Sequence, residues 1–216
     1  MANVASRGLF ITFEGIDGCG KSTQIEMLSS LLDEKGISYL MLREPGGTVV
    51  GEKIREILLD KKNDGMDPVC ELLLFEAARA QITNEVIAPA LRDGKVVICD
   101  RFYDSTFAYQ GYARKFGQQV VESLNSIAVS GNDPDITFLL DIDPEEALIR
   151  RNGRGAEDRL EALGLQFQKD VREGYLLLSD RYDRIRKLDA SMAREDIFAE
   201  ICQIMLTELG ERGFDV

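Results

Sequence analysis

The chain contains no histidine among its 216 residues, although it has four cysteines. Ser-His and Cys-His nucleophilic mechanisms are therefore excluded, as are metal sites built on histidine. The cysteines, at 19, 70, 99 and 202, show no C-x-x-C or other metal-binding spacing. Three of them lie in apolar or helical contexts and are expected to be buried. Cys19 differs, because a helix N-terminus next to Lys21 should lower the pKa of its thiol. The alternative is that Cys19 is only a small loop residue.

Long apolar segments are also missing. No run reaches the ~20 residues of a membrane-spanning helix, and the N-terminus lacks the pattern of a signal peptide. The 26 basic residues are outnumbered by 38 acidic ones, giving a formal net charge of −12. This balance argues against nucleic acid or an anionic membrane as the main partner. We therefore expect a cytoplasmic protein that binds neither nucleic acid nor membranes.

Strand-like and helical segments alternate along the chain. The sequence predicts strands at 9–14, 38–43, 95–100, 136–141 and 185–189. It predicts helices at 22–35, 49–59, 69–84 continuing to 92, 118–129, 144–151, 165–183 and 194–210. This alternation predicts an α/β fold with a mainly parallel, five-stranded sheet flanked by helices. No repeat or Pro/Gly-rich linker interrupts it, so we expect residues 1–216 to form a single domain.

The first predicted strand and helix are joined by a glycine-rich segment. It fits the phosphate-loop pattern G-x-x-x-x-G-K-S/T at Gly15, Ile16, Asp17, Gly18, Cys19, Gly20, Lys21 and Ser22. Glycines let backbone amides turn toward a phosphate, and the N-terminus of the following helix adds partial positive charge. Lys21 can reach the β- and γ-phosphates, and the Ser22 hydroxyl can ligate Mg²⁺. The segment predicts a nucleoside triphosphate site on a P-loop NTPase fold.

The third predicted strand ends in an acid, Asp100, as in a Walker-B segment. Such an aspartate can support Mg²⁺ near the phosphate loop. Several arginines follow strand or helix ends, and guanidinium groups neutralise the charge that spreads over a transferred phosphoryl group. They are Arg43, Arg79, Arg101, Arg150, Arg151 and Arg154.

Further segments carry a more specific pattern. They are 13–18 (FEGIDG) with 20–23 (GKST), 43–48 (REPGGT), 75–79 (FEAAR), 100–106 (DRFYDST), 108–111 (AYQG), 158–161 (DRLE) and 188–191 (LDAS). Together they resemble the thymidylate kinase family, and the matching motifs run from about Gly8 to Ser191. The resemblance implies transfer of the γ-phosphoryl group of Mg-ATP to dTMP, giving dTDP and ADP without a covalent intermediate. It also implies a homodimer packed through helices.

The resemblance implies roles for the residues nearest the reaction. Asp17 would face the 3′-hydroxyl of the acceptor and the metal, while Arg43 and Arg101 would hold the acceptor phosphate. The expected catalytic residues are Asp17, Lys21, Arg43, Arg101 and Arg154. The ATP site would comprise the loop from Gly15 to Ser22 with Thr23 and Arg150. The Mg²⁺ site would comprise Asp17, Ser22 and Asp100.

For the acceptor base, the resemblance implies that Phe75 stacks on thymine and Arg79 donates to its O4. A core phenylalanine on an apolar helix is the alternative for Phe75. Tyr109 would lie against the sugar, where a 2′-hydroxyl would crowd it. The implied acceptor site comprises Asp17, Glu44, Pro45, Phe75, Arg79, Arg101, Ser105, Thr106, Tyr109 and Gln110. Of these, Ser105, Thr106 and Gln110 would line the base and its N3 edge.

One feature subdivides the family. Some members carry an arginine after the loop aspartate, whereas this chain has Gly18 there. Members of this second, mostly bacterial type supply arginines from a mobile lid, here expected at about 150–161. Arg154 is the first choice for contact with the transferred phosphoryl group and Arg150 for the ATP phosphates. The alternative to a lid is an ordinary surface loop.

At Phe102, where many relatives have tyrosine or histidine, only a packing change is expected.

Other functions compete with this interpretation. The acceptor could be dUMP, CMP or a deoxynucleoside, although a deoxynucleoside would leave Arg43 and Arg101 without a phosphate to bind. A nucleotide-binding switch protein is the alternative from another class. Such proteins typically read guanine through an Asn/Thr-Lys-x-Asp segment, which this sequence lacks.

Overall fold

The strands form one parallel sheet. The computed structural model describes residues 7–151 and 158–215. The strands are β1 (Phe10–Glu14), β2 (Tyr39–Arg43), β3 (Val96–Asp100), β4 (Ile136–Asp141) and β5 (Ile185–Asp189). Their order across the sheet is β2-β3-β1-β4-β5, and every neighbouring pair is parallel. The predicted α/β class with a five-stranded parallel sheet is confirmed.

Helices connect the strands and cover the sheet. They are α1 (Lys21–Glu34), α2 (Val49–Leu59), α3 (Pro68–Ile82), α4 (Ala88–Arg92), α5 (Tyr103–Thr106), α6 (Gln118–Val129), α7 (Pro144–Arg151), α8 (Gly164–Arg181) and α9 (Arg194–Glu211). A π-helical stretch, Thr83–Ile87, joins α3 to α4, and another, Phe107–Ala113, continues α5. Short 3₁₀ turns lie at Lys61–Asn63 and Glu161–Leu163. No described helix has the length and apolarity that crossing a membrane requires.

The central strands are buried on both faces, which explains their nearly continuous apolar sequence. Every residue of β1 is buried, and so are the first four residues of β3. The register pairs Phe13 with Asp100 and Arg43 with Asp100. Because the strands are parallel, the ends of β1, β2 and β3 therefore reach the same edge of the sheet, where ligands of open α/β sheets bind.

The helical segment at 103–113 was not predicted from the sequence. It is rich in aromatic residues, which are poor helix formers, and packing against α8 supplies the stability that propensity does not. The close approach requires Gly174 on α8, where an added Cβ would lie 2.9 Å from the Ala108 Cα. This packing carries Ser105, Tyr109 and Gln110 to the edge of the sheet described above.

Candidate active site

One cavity lies at the carboxyl edge of the sheet and contains most of the predicted site residues. From the phosphate-loop side it is lined by Asp17, Gly18, Gly20, Lys21, Ser22 and Thr23. From the other side it is lined by Arg43, Glu44, Pro45, Phe75, Asp100, Arg101, Ser105, Thr106, Tyr109 and Gln110. Asp17 and Gln110, which are 93 positions apart in the chain, therefore share one space.

The glycines of the phosphate loop are required by its conformation. Gly15, Gly18 and Gly20 have φ values of 132°, 92° and 103°, which L-residues with a side chain rarely adopt. A Cβ on Gly15 would lie 2.5 Å from the carbonyl oxygen of Leu140, and one on Gly18 would overlap that of Ala147. An arginine at position 18 would thus require α7 to move away from the loop.

Lys21 is 7% exposed and folds back over the loop. Its Nζ donates to the carbonyl oxygens of Gly15 at 3.0 Å and Ile16 at 3.3 Å. The ammonium group therefore lies at the N-terminus of α1, beside the turned-in backbone of the loop. Both features favour an anion at this end of the cavity.

Arg101 occupies the centre of the cavity and joins its two sides. It follows β3 with φ of 68°, and its guanidinium lies 2.6 Å from Asp17 Oδ1. The same group donates to Gly15 O at 2.9 Å and stacks over the Tyr109 ring at 5.3 Å. Burial alone would raise the pKa of Asp17, but the positive charges of Arg101 and Lys21 lower it to about 2. Asp17 is therefore ionised at neutral pH.

Behind Arg101 lies a buried acid that was not predicted as a site residue. Glu14 accepts hydrogen bonds from Ser105 Oγ at 2.6 Å and Tyr175 Oη at 2.8 Å, and Arg101 donates to that Tyr175 oxygen at 3.1 Å. Burial, followed by the negative charge of Asp104, raises the pKa of Glu14 to about 7. Arg101 is thus held from behind as well as by Asp17.

The raised pKa of Glu14 predicts a pH dependence of stability. The folded state holds a proton between the ordinary pKa of 4.5 and about 7 that the unfolded state releases. This contribution to stability is therefore present below pH 4.5 and is lost as the pH rises through 7. Replacing Glu14 by Gln should remove this contribution. The free energy of unfolding of the variant, relative to that of the wild type, should therefore rise by on the order of 1–3 kcal/mol from pH 5 to pH 8.

Urea unfolding of both proteins at the two pH values measures this difference. Glu145→Gln serves as the control, because the side chain of Glu145 is 63% exposed. Equal pH dependence in the wild type and Glu14→Gln would show that Glu14 titrates normally.

The acceptor side of the cavity combines an aromatic ring with buried polar groups. Phe75 is half-buried: it packs against the core and also lines the cavity, so each of its two interpretations is partly met. Thr106 and Gln110 are each 1% exposed and line the same end. Tyr109 Oη donates to Asp17 Oδ2 at 3.5 Å, which places the Tyr109 ring between the acceptor end and the loop.

Arg79, by contrast, lies behind the cavity wall. It is 1% exposed and does not line the cavity. Its guanidinium donates to Glu44 Oε2 at 2.7 and 2.9 Å, to Glu76 Oε1 at 2.8 Å and to Thr106 Oγ1 at 2.7 Å. The hydrogen bond from Arg79 to a base therefore stays a prediction. The contacts of Arg79 show that it holds the residues of the cavity wall in place.

The residues expected to hold Mg²⁺ fit such an ion. Asp100 and Ser22 line the same cavity, and the buried Oδ1 of Asp100 has no hydrogen-bond partner among the described residues. Within 7–151 and 158–215, no group of three or more Cys, Asp or Glu side chains is arranged to hold a metal. The carboxylate of Asp100 and the hydroxyl of Ser22 suit Mg²⁺, which is commonly bound by one or two carboxylates together with substrate phosphates.

Of the two interpretations of Cys19, the lowered thiol pKa is wrong, and the small loop residue agrees with the structure. Its side chain is 1% exposed, and burial raises the pKa of the thiol despite the nearby charge of Lys21. The sequence places Cys19 at a helix N-terminus but does not show that it points into the core. Cys19 thus fills space beneath the loop, and it should not be a reactive thiol.

The segment expected to form a lid, at about 150–161, is only partly described. Arg154 lies outside the described residues. Arg150 does not line the cavity: it donates to the Ala190 carbonyl at 2.7 Å and to Glu146 at 2.6 Å. In the last part of this segment, Asp158 and Leu160 line the cavity. Arg159 is anchored beneath them by a 2.7 Å hydrogen bond to the Leu58 carbonyl.

Comparison with known proteins agrees with this geometry. The sequence model of the family described as thymidylate kinase matches residues 13–201. A thymidylate kinase of Caldanaerobacter subterraneus is 54% identical over 184 residues, which cover 85% of this chain and 88% of that protein. The chain belongs to the thymidylate kinase family. A thymidylate kinase of Prosthecochloris aestuarii is 46% identical over 212 residues, covering 94% and 95% of the two chains.

In this thymidylate kinase family member, Arg55 is a cavity residue that sequence reasoning missed. It extends from α2, lines the cavity and donates to the Pro45 carbonyl at 2.9 Å, the same oxygen that Arg43 reaches at 3.1 Å. Burial, followed by the charge of Arg43, lowers the pKa of Arg55. Its spacing from the REPGGT segment was the available signal, but a single arginine on a helix is usually solvated.

Phe102, where this chain differs from many relatives, packs in the core. Its side chain is fully buried and meets the Phe10 ring edge-on, with centroids 5.0 Å apart. The Arg79 guanidinium lies over the Phe102 ring, 5.4 Å from the ring centroid. The expected packing role is therefore consistent with the structure.

Proposed function

We propose that this chain transfers the γ-phosphoryl group of ATP to dTMP, forming dTDP and ADP. The observation that carries this proposal is one cavity with a phosphate loop at one end and the Phe75–Gln110 pocket at the other. Arg101 lies between the two ends, against Asp17. An anion-binding centre between a triphosphate site and a base-sized pocket is what phosphoryl transfer between nucleotides requires.

At the donor end, the loop amides and the N-terminus of α1 bind the phosphates of ATP. Lys21 exchanges its two carbonyl acceptors for β- and γ-phosphate oxygens. Ser22 and Asp100 would hold Mg²⁺, with Asp17 nearby. When bound, the ion neutralises charge on the phosphate oxygens.

At the centre, the arginines position the acceptor. Arg101, Arg43 and Arg55 form the cationic wall against which a monophosphate binds. An oxygen of that phosphate attacks the γ-phosphorus while the bond to the bridging oxygen breaks and ADP leaves. No side chain is required as a nucleophile, so positioning and charge neutralisation supply the catalysis.

At the acceptor end, Phe75 stacks on the base and Thr106 and Gln110 meet its edge. Tyr109 and Asp17 lie where the sugar must pass, and the Tyr109 ring disfavours a 2′-hydroxyl. Glu44 and Pro45 complete the wall beside Arg43. These assignments are supported by the shared lining of one cavity by all these residues.

We also propose a lid at about 150–161 with Arg154 on the transferred phosphoryl group and Arg150 on the ATP phosphates. In this proposal, Arg150 must leave the Ala190 carbonyl to act. A homodimer is supported by exposed apolar residues on two helices that pack together, α3 and α6. They are Val69, Leu73, Val120 and Ile127, each 47–78% exposed.

A coupled assay with Mg-ATP tests the function. The acceptors are dTMP, dUMP, dCMP, dAMP and thymidine at equal concentrations. We expect dTMP to give the highest kcat/KM and thymidine to give no product, because it brings no phosphate to Arg101. A preference for dCMP or thymidine would contradict the proposal, as would nucleotide binding without turnover.

Phe75→Ala is expected to raise the KM for dTMP by about 10- to 100-fold, since the base loses a stacking surface worth ~1–3 kcal/mol. The KM for ATP should stay unchanged. Phe198→Ala is the matched control, because Phe198 packs half-buried against the same core but does not line the cavity. It should lower stability without changing either KM. An equal rise in the KM values for dTMP and ATP in Phe75→Ala would show that Phe75 only supports the core.

A further inference from the structure

The amide of Gln110 is tied down at only one end. Its Nε2 donates to Glu71 Oε1 at 2.9 Å, whereas no donor from residues 7–151 or 158–215 reaches its Oε1. Gln110 lines the cavity beside Thr106 and Phe75, but Glu71 does not line it. The carbonyl end of the amide is therefore the end left to meet a ligand.

Glu71 is a fully buried acceptor that two arginines hold in place. Its Oε2 lies 2.7 Å from Arg159 Nη1 and 3.0 Å from Arg114 Nη2. Arg159 also donates to the Leu58 carbonyl at 2.7 Å, and Arg114 stacks over the Phe167 ring at 5.3 Å. A carboxylate between two guanidinium groups accepts hydrogen bonds and donates none.

The orientation of Gln110 follows from this partner. If the amide flipped, its carbonyl oxygen would face the Glu71 carboxylate oxygen in a buried, low-dielectric place, where two acceptors repel. Only the orientation with Nε2 toward Glu71 satisfies both groups. The cavity thus presents a fixed acceptor at Gln110.

We infer that Glu71 is a positioning residue that, through Gln110, selects bases that donate a hydrogen bond at N3. The inference rests on the proposed function and specifies how the same pocket chooses its pyrimidine. Thymine and uracil carry a proton on N3, which Gln110 Oε1 can accept. Cytosine has a lone pair there and would meet a second acceptor. Glu71 would thereby discriminate between pyrimidines without touching either.

The test is Glu71→Gln, assayed with Mg-ATP and either dTMP or dCMP. A glutamine at 71 can donate or accept, so the amide of Gln110 is free to take either orientation. We expect the ratio of kcat/KM for dTMP to that for dCMP to fall about 10- to 100-fold, the worth of one buried mismatched hydrogen bond. The KM for ATP should not change.

Arg114→Met is the matched control. It removes an ion pair of Glu71 but keeps the carboxylate on Gln110, so it should lower stability and leave the ratio unchanged. An unchanged ratio in folded Glu71→Gln would overturn the inference, and so would an equal fall in Arg114→Met. A wild type that uses dCMP as well as dTMP would also overturn it. A wild type with no dTMP turnover would instead overturn the proposed function.

If Glu71→Gln does not fold, NMR of the wild type decides the question. With dTMP labelled with ¹⁵N at N3, we expect a protected N3 proton in the complex. The side-chain NH₂ signals of Gln110, assigned by their loss in Gln110→Leu, should keep their shifts because they remain on Glu71. A large shift of those signals without a protected N3 proton would overturn the inference.

Discussion

Arg101→Ala is expected to lower kcat/KM for dTMP by at least about 10³-fold, the range seen when an arginine that neutralises a transferred phosphoryl group is removed. The guanidinium lies 2.6 Å from Asp17 and 2.9 Å from the Gly15 carbonyl, and it also donates to Ser105 Oγ at 3.3 Å, so it connects the phosphate loop with the acceptor end. Its loss removes charge from the centre of the cavity. Steady-state kinetics with dTMP and ATP measure the effect.

The fold should survive this change. The side chain of Asp17 is 30% exposed and can be solvated once Arg101 is gone, and the left-handed backbone at 101 is no more strained for alanine than for arginine. Thermal melting and circular dichroism provide the check. Arg101→Lys is the matched variant. It keeps the positive charge but loses the planar guanidinium that binds a phosphate through two hydrogen bonds, so it should be more active than Arg101→Ala but less active than the wild type. Wild-type turnover in Arg101→Ala would refute the central role of this residue.

Arg79→Met is expected to destabilise the protein by about 3–5 kcal/mol, the usual cost of removing one partner of a buried ion pair. Arg79 is buried between Glu44 at 2.7 Å and Glu76 at 2.8 Å, and its loss leaves both carboxyl groups uncompensated. Burial raises the pKa of Glu44 to about 7, even though the positive charge of Arg79 lowers it. Urea unfolding at pH 8 measures the loss.

The pH dependence of this defect gives a second check. Below pH 5 the two carboxyl groups can be protonated in the variant, so the destabilisation should be smaller than at pH 8. Glu76→Gln is the control, since Arg79 keeps its bonds to Glu44, and it should cost less. A variant as stable as the wild type, with only a raised KM for dTMP, would instead favour the interpretation that Arg79 serves the base.

Local features of the fold were predictable from the sequence. The bounds of α2, α6 and α7 agree with the predicted 49–59, 118–129 and 144–151, as do those of β4 and β5. The start of α2 has a local cause, because Thr48 caps it by accepting from the Gly51 amide at 2.9 Å. The phosphate loop was predictable for the same reason: its glycines, lysine and flanking elements are adjacent in the chain.

Partners that are distant in the chain were not predictable. Glu14 and Tyr175 are separated by 161 positions yet are joined by a 2.8 Å hydrogen bond. Glu71 and Gln110 are likewise on separate elements, and neither sequence position indicates a buried acceptor. The inward direction of Cys19 and the wall position of Arg79 also depend on tertiary packing. Sequence motifs therefore identified most of the groups that line the cavity, but not the buried residues that hold them.

The central claim is that the phosphoryl group passes directly from ATP to dTMP in this one cavity. ³¹P NMR of the protein with Mg-ATP and dTMP tests it most directly. The account predicts loss of the ATP γ-phosphate signal matched by the two signals of dTDP, with no growth of inorganic phosphate. Release of inorganic phosphate without dTDP, or no change in the dTMP signal, would contradict it.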